Sequence, residues 1–119
     1  SLVGSEMCIR DRQTACVQWF NLQYPQYRGM LLHVPNGGYR ESREGVNLKK
    51  QGVVAGVADL LLLIPRKGFG CLCIEMKYGR GKQSDLQREW EEKTSRHGNL
   101  YQVCRSLEEF MDTVNSYLL

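Results

Sequence analysis

Two short apolar runs joined by a six-residue, glycine-bearing link constrain this chain most: Leu60–Ile64, the link Pro65–Gly70, and Cys71–Ile74. Continuous apolar runs of this length, bounded by turn residues, read as buried strands. The link is short and glycine-bearing, so the two runs read as an antiparallel hairpin. A three-residue tip, Arg66-Lys67-Gly68 with glycine in the left-handed position, centres the pairing on Lys67. Ile64 then lies opposite Gly70, and Asp59 opposite Glu75. Opposed residues share a face at about 5 Å between Cα atoms. Lys77, two residues beyond Glu75, returns to that face.

An acid pair with a neighbouring ammonium, flanked by apolar strands, has limited uses. Two carboxylates this close repel, and each takes up a proton unless a cation lies between them. Hard oxygen ligands suit Mg²⁺ or Mn²⁺. Lys77 would assist attack by water, and the set equips the chain to hydrolyse a phosphodiester. Glu-x-Lys on a strand is also common as a solvated ion pair. The matched hairpin register and the apolar flanks favour the chemical reading, because they would desolvate an unpaired charge.

Asp59 followed by Glu75-Met76-Lys77 resembles the PD-(D/E)-x-K nuclease signature, with Ala58 where that pattern has proline. More specifically, the chain resembles the virus-type replication-repair nuclease (VRR-NUC) domain from about Gln13 onward. The matching stretches are His33-Val34-Pro35-Asn36-Gly37-Gly38, Gly52 to Asp59, Ile74 to Lys77, and Ser84 with Gln87 and Trp90. The resemblance implies a restriction-endonuclease-like α/β fold, a mixed β-sheet flanked by helices. It also implies Asp59, Glu75 and the Met76 carbonyl as metal ligands, Lys77 as catalytic lysine and Gln87 as a supporting catalytic residue. Structure-specific cutting of branched DNA, such as Holliday junctions, is the implied activity.

The first twelve residues, Ser1–Arg12, do not look like the rest and resemble translated sequencing-adapter read-through, as found in metagenomic catalogues. They are set apart as a non-native extension, leaving residues 13–119 as one nuclease domain. The family usually carries a metal-holding glutamate in its first helix, and Ile9 stands at that position here.

Charge is distributed unevenly. Residues 40–82 hold nine Lys and Arg against four acids, whereas residues 83–119 hold four against seven. A basic middle around the acid pair suits an anionic polymer approaching from one side. No run is long enough to span a membrane and no secretory leader is evident, which places the expected location in the cytoplasm of a bacterial or phage-infected cell. Five cysteines without Cys-x-x-Cys spacing suggest reduced core residues rather than a zinc site.

Along the chain, Gln13–Leu22 has helical spacing, Met30–Val34 reads as a strand, and Asn36-Gly37-Gly38 as an exposed turn open to phosphate. Glu41–Gln51 reads as a partly exposed helix with Arg43, Lys49 and Lys50, preceded by Arg40. Tyr78–Lys82 is a glycine-rich loop with Arg80 and Lys82. These basic and glycine residues are the expected DNA contacts. Ser84 to Gln87 and Ser106 to Glu109 have the form of capping boxes opening two helices. Between them, Leu100–Cys104 reads as a last strand. The expected order is αβαββαβα.

The expected function is a Mg²⁺- or Mn²⁺-dependent endonuclease acting on DNA, as a homodimer if two strands are cut symmetrically. The alternative is a binding module that keeps the nuclease fold after losing catalysis. A protein-interaction domain with an idle acid pair is the third possibility.

Overall fold

The computed structural model describes residues 9–35 and 43–119, with the side chains of residue 9 and residues 43–46 left aside. The elements follow the expected order: α1 (Ile9–Gln23), β1 (Leu31–His33), α2 (Arg43–Lys50), β2 (Leu60–Leu62), β3 (Leu72–Met76), α3 (Asp85–Arg96), β4 (Leu100–Cys104) and α4 (Leu107–Leu118). A 3₁₀ turn at Pro25–Tyr27 follows α1, where proline fits the first turn of a helix but forbids continuing the previous one. The sheet order is β1-β2-β3-β4. Its first two pairings are antiparallel and β3–β4 is parallel, so the sheet is mixed.

The hairpin register is the expected one: Leu60 pairs with Ile74 and Leu62 with Leu72, which sets Asp59 opposite Glu75 just beyond the ladder. The tip is tighter than expected. Arg66 and Phe69 exchange both backbone hydrogen bonds, so only Lys67 and Gly68 turn the corner. Both have positive φ, 52° and 84°, the combination of a two-residue hairpin turn that follows strand twist. From this pair down to Leu62–Leu72 the first arm runs four residues and the second three. The extra residue falls at Leu63–Pro65, where proline has no N–H to give a ladder. That is why β2 stops at Leu62 instead of running to Ile64.

β3 runs two residues further than its apolar run because β4 pairs with it to the end, Glu75 with Val103 and Met76 with Cys104. Side chains alternate across the sheet. One face carries Leu60, Leu62, Leu72, Ile74 and Cys104 against Cys16 and Phe20 of α1 and Phe110, Val114 and Tyr117 of α4. Trp19 joins this core edge-on to Phe110. Burying each large side chain contributes about 2 kcal/mol, so this face supplies most of the drive to fold. The other face carries a smaller cluster, Ala58, Cys73 and Tyr101, with Trp90 of α3 packed on it. Glu75 points to that second face, against Gln87 in the first turn of α3.

The helices are stopped and started by their own sequence. The Ser84 hydroxyl accepts from the Gln87 N–H and the Gln87 side chain accepts from the Ser84 N–H, a complete capping box. At α4 only half of the expected box forms: Ser106 caps Glu109, but the Glu109 carboxylate accepts from the Arg105 N–H one residue earlier. Cys16, Cys71, Cys73 and Cys104 are free thiols.

Candidate functional site

β2 and β3 bring the acids together. Asp59 directly precedes β2, and its Oδ2 accepts from the Met76 backbone N–H at 2.9 Å. The Asp59 carbonyl accepts from the Val34 N–H at 2.8 Å and lies 3.1 Å from His33 Nδ1. A carbonyl can only accept, so Nδ1 carries the proton and the histidine tautomer is fixed. His33 therefore holds the backbone of Asp59 to the edge strand.

Glu75 is only 2 % exposed. Its Oε2 accepts from Gln87 Nε2 at 3.0 Å and lies 3.9 Å from Lys77 Nζ. Among the described residues no N–H or hydroxyl donor reaches its buried Oε1, and the neighbouring Asp59 carboxyl hydrogen-bonds Glu75 only while one of the two acids keeps its proton. Burial pushes the Glu75 carboxyl up to about 8, the charge of Asp59 adds to the rise, and Lys77 opposes it. A buried carboxylate oxygen with no donor is costly for protein alone. Such an oxygen, beside a second carboxylate, fits a hard divalent cation.

Lys77 follows β3, its N–H donating to the Cys104 carbonyl at 3.0 Å, and its side chain is 20 % exposed. Gln87 stands in the first turn of α3. A cavity of about 230 Å³ opens beside it, lined by Ala55, Gly56, Val57, Asp59, Ser84, Leu86 and Gln87. Gly56 permits this approach. A Cβ there would lie 2.4 Å from the Leu86 carbonyl oxygen, and its φ of +86° is left-handed. Sequence placed Gly56 in a stretch that matches the family, but did not show the helix it must touch.

The structure thus gathers Asp59, Glu75, Lys77 and Gln87. Met76 enters through its N–H to Asp59, a contact that a ligand role for its carbonyl did not suggest. Among the described residues no group of three His, Cys, Asp or Glu side chains forms a metal site, so the acid pair stands without a third acid. Ile9 opens α1, and isoleucine lacks the carboxylate that a glutamate would offer a cation. Arg80 and Lys82 are exposed on the loop after Lys77, and Lys49 and Lys50 are exposed at the end of α2. Arg43 opens α2 with its side chain not described, and Asn36, Gly37, Gly38 and Arg40 lie outside the described residues.

A mixed sheet flanked by helices, with Asp and Glu-x-Lys converging at the end of a central hairpin, defines a nuclease-fold domain of the PD-(D/E)-x-K kind. The VRR-NUC domain family model matches residues 10–108, and the chain belongs to that family. A solved structure described as a VRR-NUC domain protein superposes with a TM-score of 0.82 at 24% identity, covering 98% of this chain and 91% of the other. No curated protein matches the chain.

Proposed function

We propose that the protein is a metal-dependent endonuclease that hydrolyses phosphodiester bonds in DNA, with residues 13–119 as its nuclease domain. The observation that carries this reading is the orphaned Glu75 Oε1 opposite Asp59, an arrangement that needs a cation to be stable when both acids are charged. Asp59 and Glu75 would hold Mg²⁺ or Mn²⁺, the Met76 carbonyl being the third ligand that the family likeness supplies. A divalent cation held there supplies Lewis-acid stabilisation of the phosphoryl group. Gln87 fixes Glu75 through Oε2, which leaves Oε1 for the cation. Lys77 orients the attacking water and offsets developing negative charge at the phosphate. Asn36, Gly37, Gly38, Arg40, Arg43, Lys49, Lys50, Arg80 and Lys82 are the proposed backbone contacts.

Branched DNA, such as a Holliday junction, is the proposed substrate, and a homodimer would supply the two sites that symmetric incision requires. A cytoplasmic location suits such a substrate. Among the described residues no helix is long and apolar enough to cross a membrane.

One observation favours a second reading. Ile9 stands where the family's helical glutamate is expected, so cation affinity is weakened and the chain would act as a DNA-binding module with a nuclease fold. Incubating labelled four-way junction, duplex and single-stranded DNA with Mg²⁺, Mn²⁺ or EDTA separates the two. Cation-dependent cutting that Asp59→Ala abolishes supports the nuclease. Binding without cutting, even after Ile9→Glu, supports the module.

A further inference from the structure

The loop that follows Lys77 is held from outside the site. Gly81 N–H donates to the Tyr78 carbonyl at 3.0 Å, closing a turn over Tyr78–Gly81. Gly79, at the second position of that turn, takes a left-handed φ of +57°. The carbonyls of Gly79 and Gly81, on either side of Arg80, both turn toward one guanidinium: Arg105 Nη1 donates to Gly79 O at 3.1 Å and to Gly81 O at 2.8 Å. Arg105 itself is well anchored. It directly follows β4, its N–H donates to Glu109 Oε1 at 2.8 Å, and the preceding carbonyl, Cys104 O, accepts from Lys77 N–H. At the other end of the loop, the Arg12 guanidinium lies over the Tyr78 ring at 4.2 Å.

A short, glycine-rich surface loop loses much conformational freedom when it is ordered, and that cost falls on binding if the loop is loose in the free protein. Arg105 removes that cost beforehand. Its charge-assisted bonds fix the Gly79–Arg80 and Gly81–Lys82 peptide units, and so the direction in which Arg80 and Lys82 leave the surface beside Lys77. We propose that Arg105 is a positioning residue that presents Arg80 and Lys82 to the DNA backbone by clamping the two carbonyls that flank Arg80. The proposal rests on the DNA-binding reading above and adds to it a residue remote from the carboxylates. Arg105 acts through the loop rather than as a further phosphate contact. Its removal therefore weakens binding only while Arg80 and Lys82 are present to be presented.

The test is a double-mutant cycle on the full chain. Affinity for a fluorescent four-way junction is measured by anisotropy in EDTA for the wild type, Arg105→Ala, Arg80→Ala/Lys82→Ala and the triple variant. Trypsin cleavage after Arg80 and Lys82 is timed in the wild type and Arg105→Ala, with melting curves to show that both are folded. Arg105→Ala is expected to bind roughly five- to tenfold more weakly, to add little to Arg80→Ala/Lys82→Ala, and to be cut in the loop several times faster. Full additivity would make Arg105 a direct contact and overturn the proposal. Unchanged loop cleavage would overturn it as well. A wild type that binds no DNA would fail the DNA-binding reading itself, a result distinct from wild-type binding with additive losses.

Discussion

Gln87 Nε2 donates to Glu75 Oε2 at 3.0 Å while Oε1 of the same amide accepts from the Ser84 N–H at 2.8 Å. One side chain therefore starts helix α3 and aims a buried carboxylate. The two duties are separable. Ser84→Ala removes the hydroxyl that caps the Gln87 N–H and is expected to cost about 1 kcal/mol of stability with little change in cleavage. Gln87→Ala should cost a similar amount and also slow cleavage by roughly tenfold or more, since Glu75 loses the amide donor that aims its Oε2. Melting temperatures beside cleavage rates check this. Equal rate losses in the two variants would assign the effect to the helix end alone.

Glu75 makes a pH prediction with a definite sign. Its carboxyl stands at about 8 in the folded chain against 4.5 as an ordinary glutamate. The folded state therefore holds more protons between these values. Without divalent cation, the stability contributed by this group is complete below pH 4.5 and is lost as pH rises through 8, on the order of a few kcal/mol. Glu75→Gln removes the buried acid while keeping its shape. It should flatten the pH dependence, raise the melting temperature in EDTA at pH 8 by several degrees, and abolish cleavage. A variant less stable than the wild type at pH 8 in EDTA would contradict this.

Gly56 and Gly52 both have positive φ, 86° and 100°, but only Gly56 has a neighbour in the way. Gly52→Ala meets nothing within 4 Å and should cost about 1 kcal/mol for its backbone conformation alone. Gly56→Ala drives a methyl into the Leu86 carbonyl, and should cost about 3 kcal/mol and displace the N-terminus of α3 from Asp59. Chemical denaturation of the two variants compares them. Equal losses would mean that the loop and helix move apart freely.

Lys67 occupies a left-handed position, φ 52°, in a turn whose favoured pair is Asn-Gly. Lys67→Asn is expected to stabilise the chain by about 0.5 kcal/mol without touching the site. No gain in melting temperature would argue against the two-residue turn.

The parts of the fold that sequence made legible are those fixed by local chemistry. Ser84 and Ser106 marked helix starts because capping is short-range, and the antiparallel pairing followed from a short, glycine-bearing link; the register that opposes Asp59 to Glu75 is kept because the extra residue at Leu63–Pro65 offsets the tighter turn. The turn itself was read one residue too long, because lysine in a left-handed conformation leaves no compositional mark. β3 ran past its apolar run to Met76 because its partner, β4, comes from much later in the chain. The same distance hid three contacts: His33 to the Asp59 carbonyl, Met76 N–H to the Asp59 carboxylate, and Arg105 to the loop after Lys77. α1 reaches back to Ile9 and takes in Arg12, residues that their likeness to adapter read-through had set aside. Residue types announced the acid pair and its lysine. Part of what orients them, the Met76 N–H and the Asp59 carbonyl, is backbone, which residue types do not name.

Calorimetric titration of Mn²⁺ into the cation-free protein, at pH 6 and pH 8, tests the central claim most directly. The paired acids predict one Mn²⁺ per chain and release of about one proton at pH 6, where Glu75 is protonated. Affinity should be higher at pH 8, lost in Asp59→Asn and strengthened in Ile9→Glu. Absence of binding in both the wild type and Ile9→Glu, or undiminished binding in Asp59→Asn, would contradict the account.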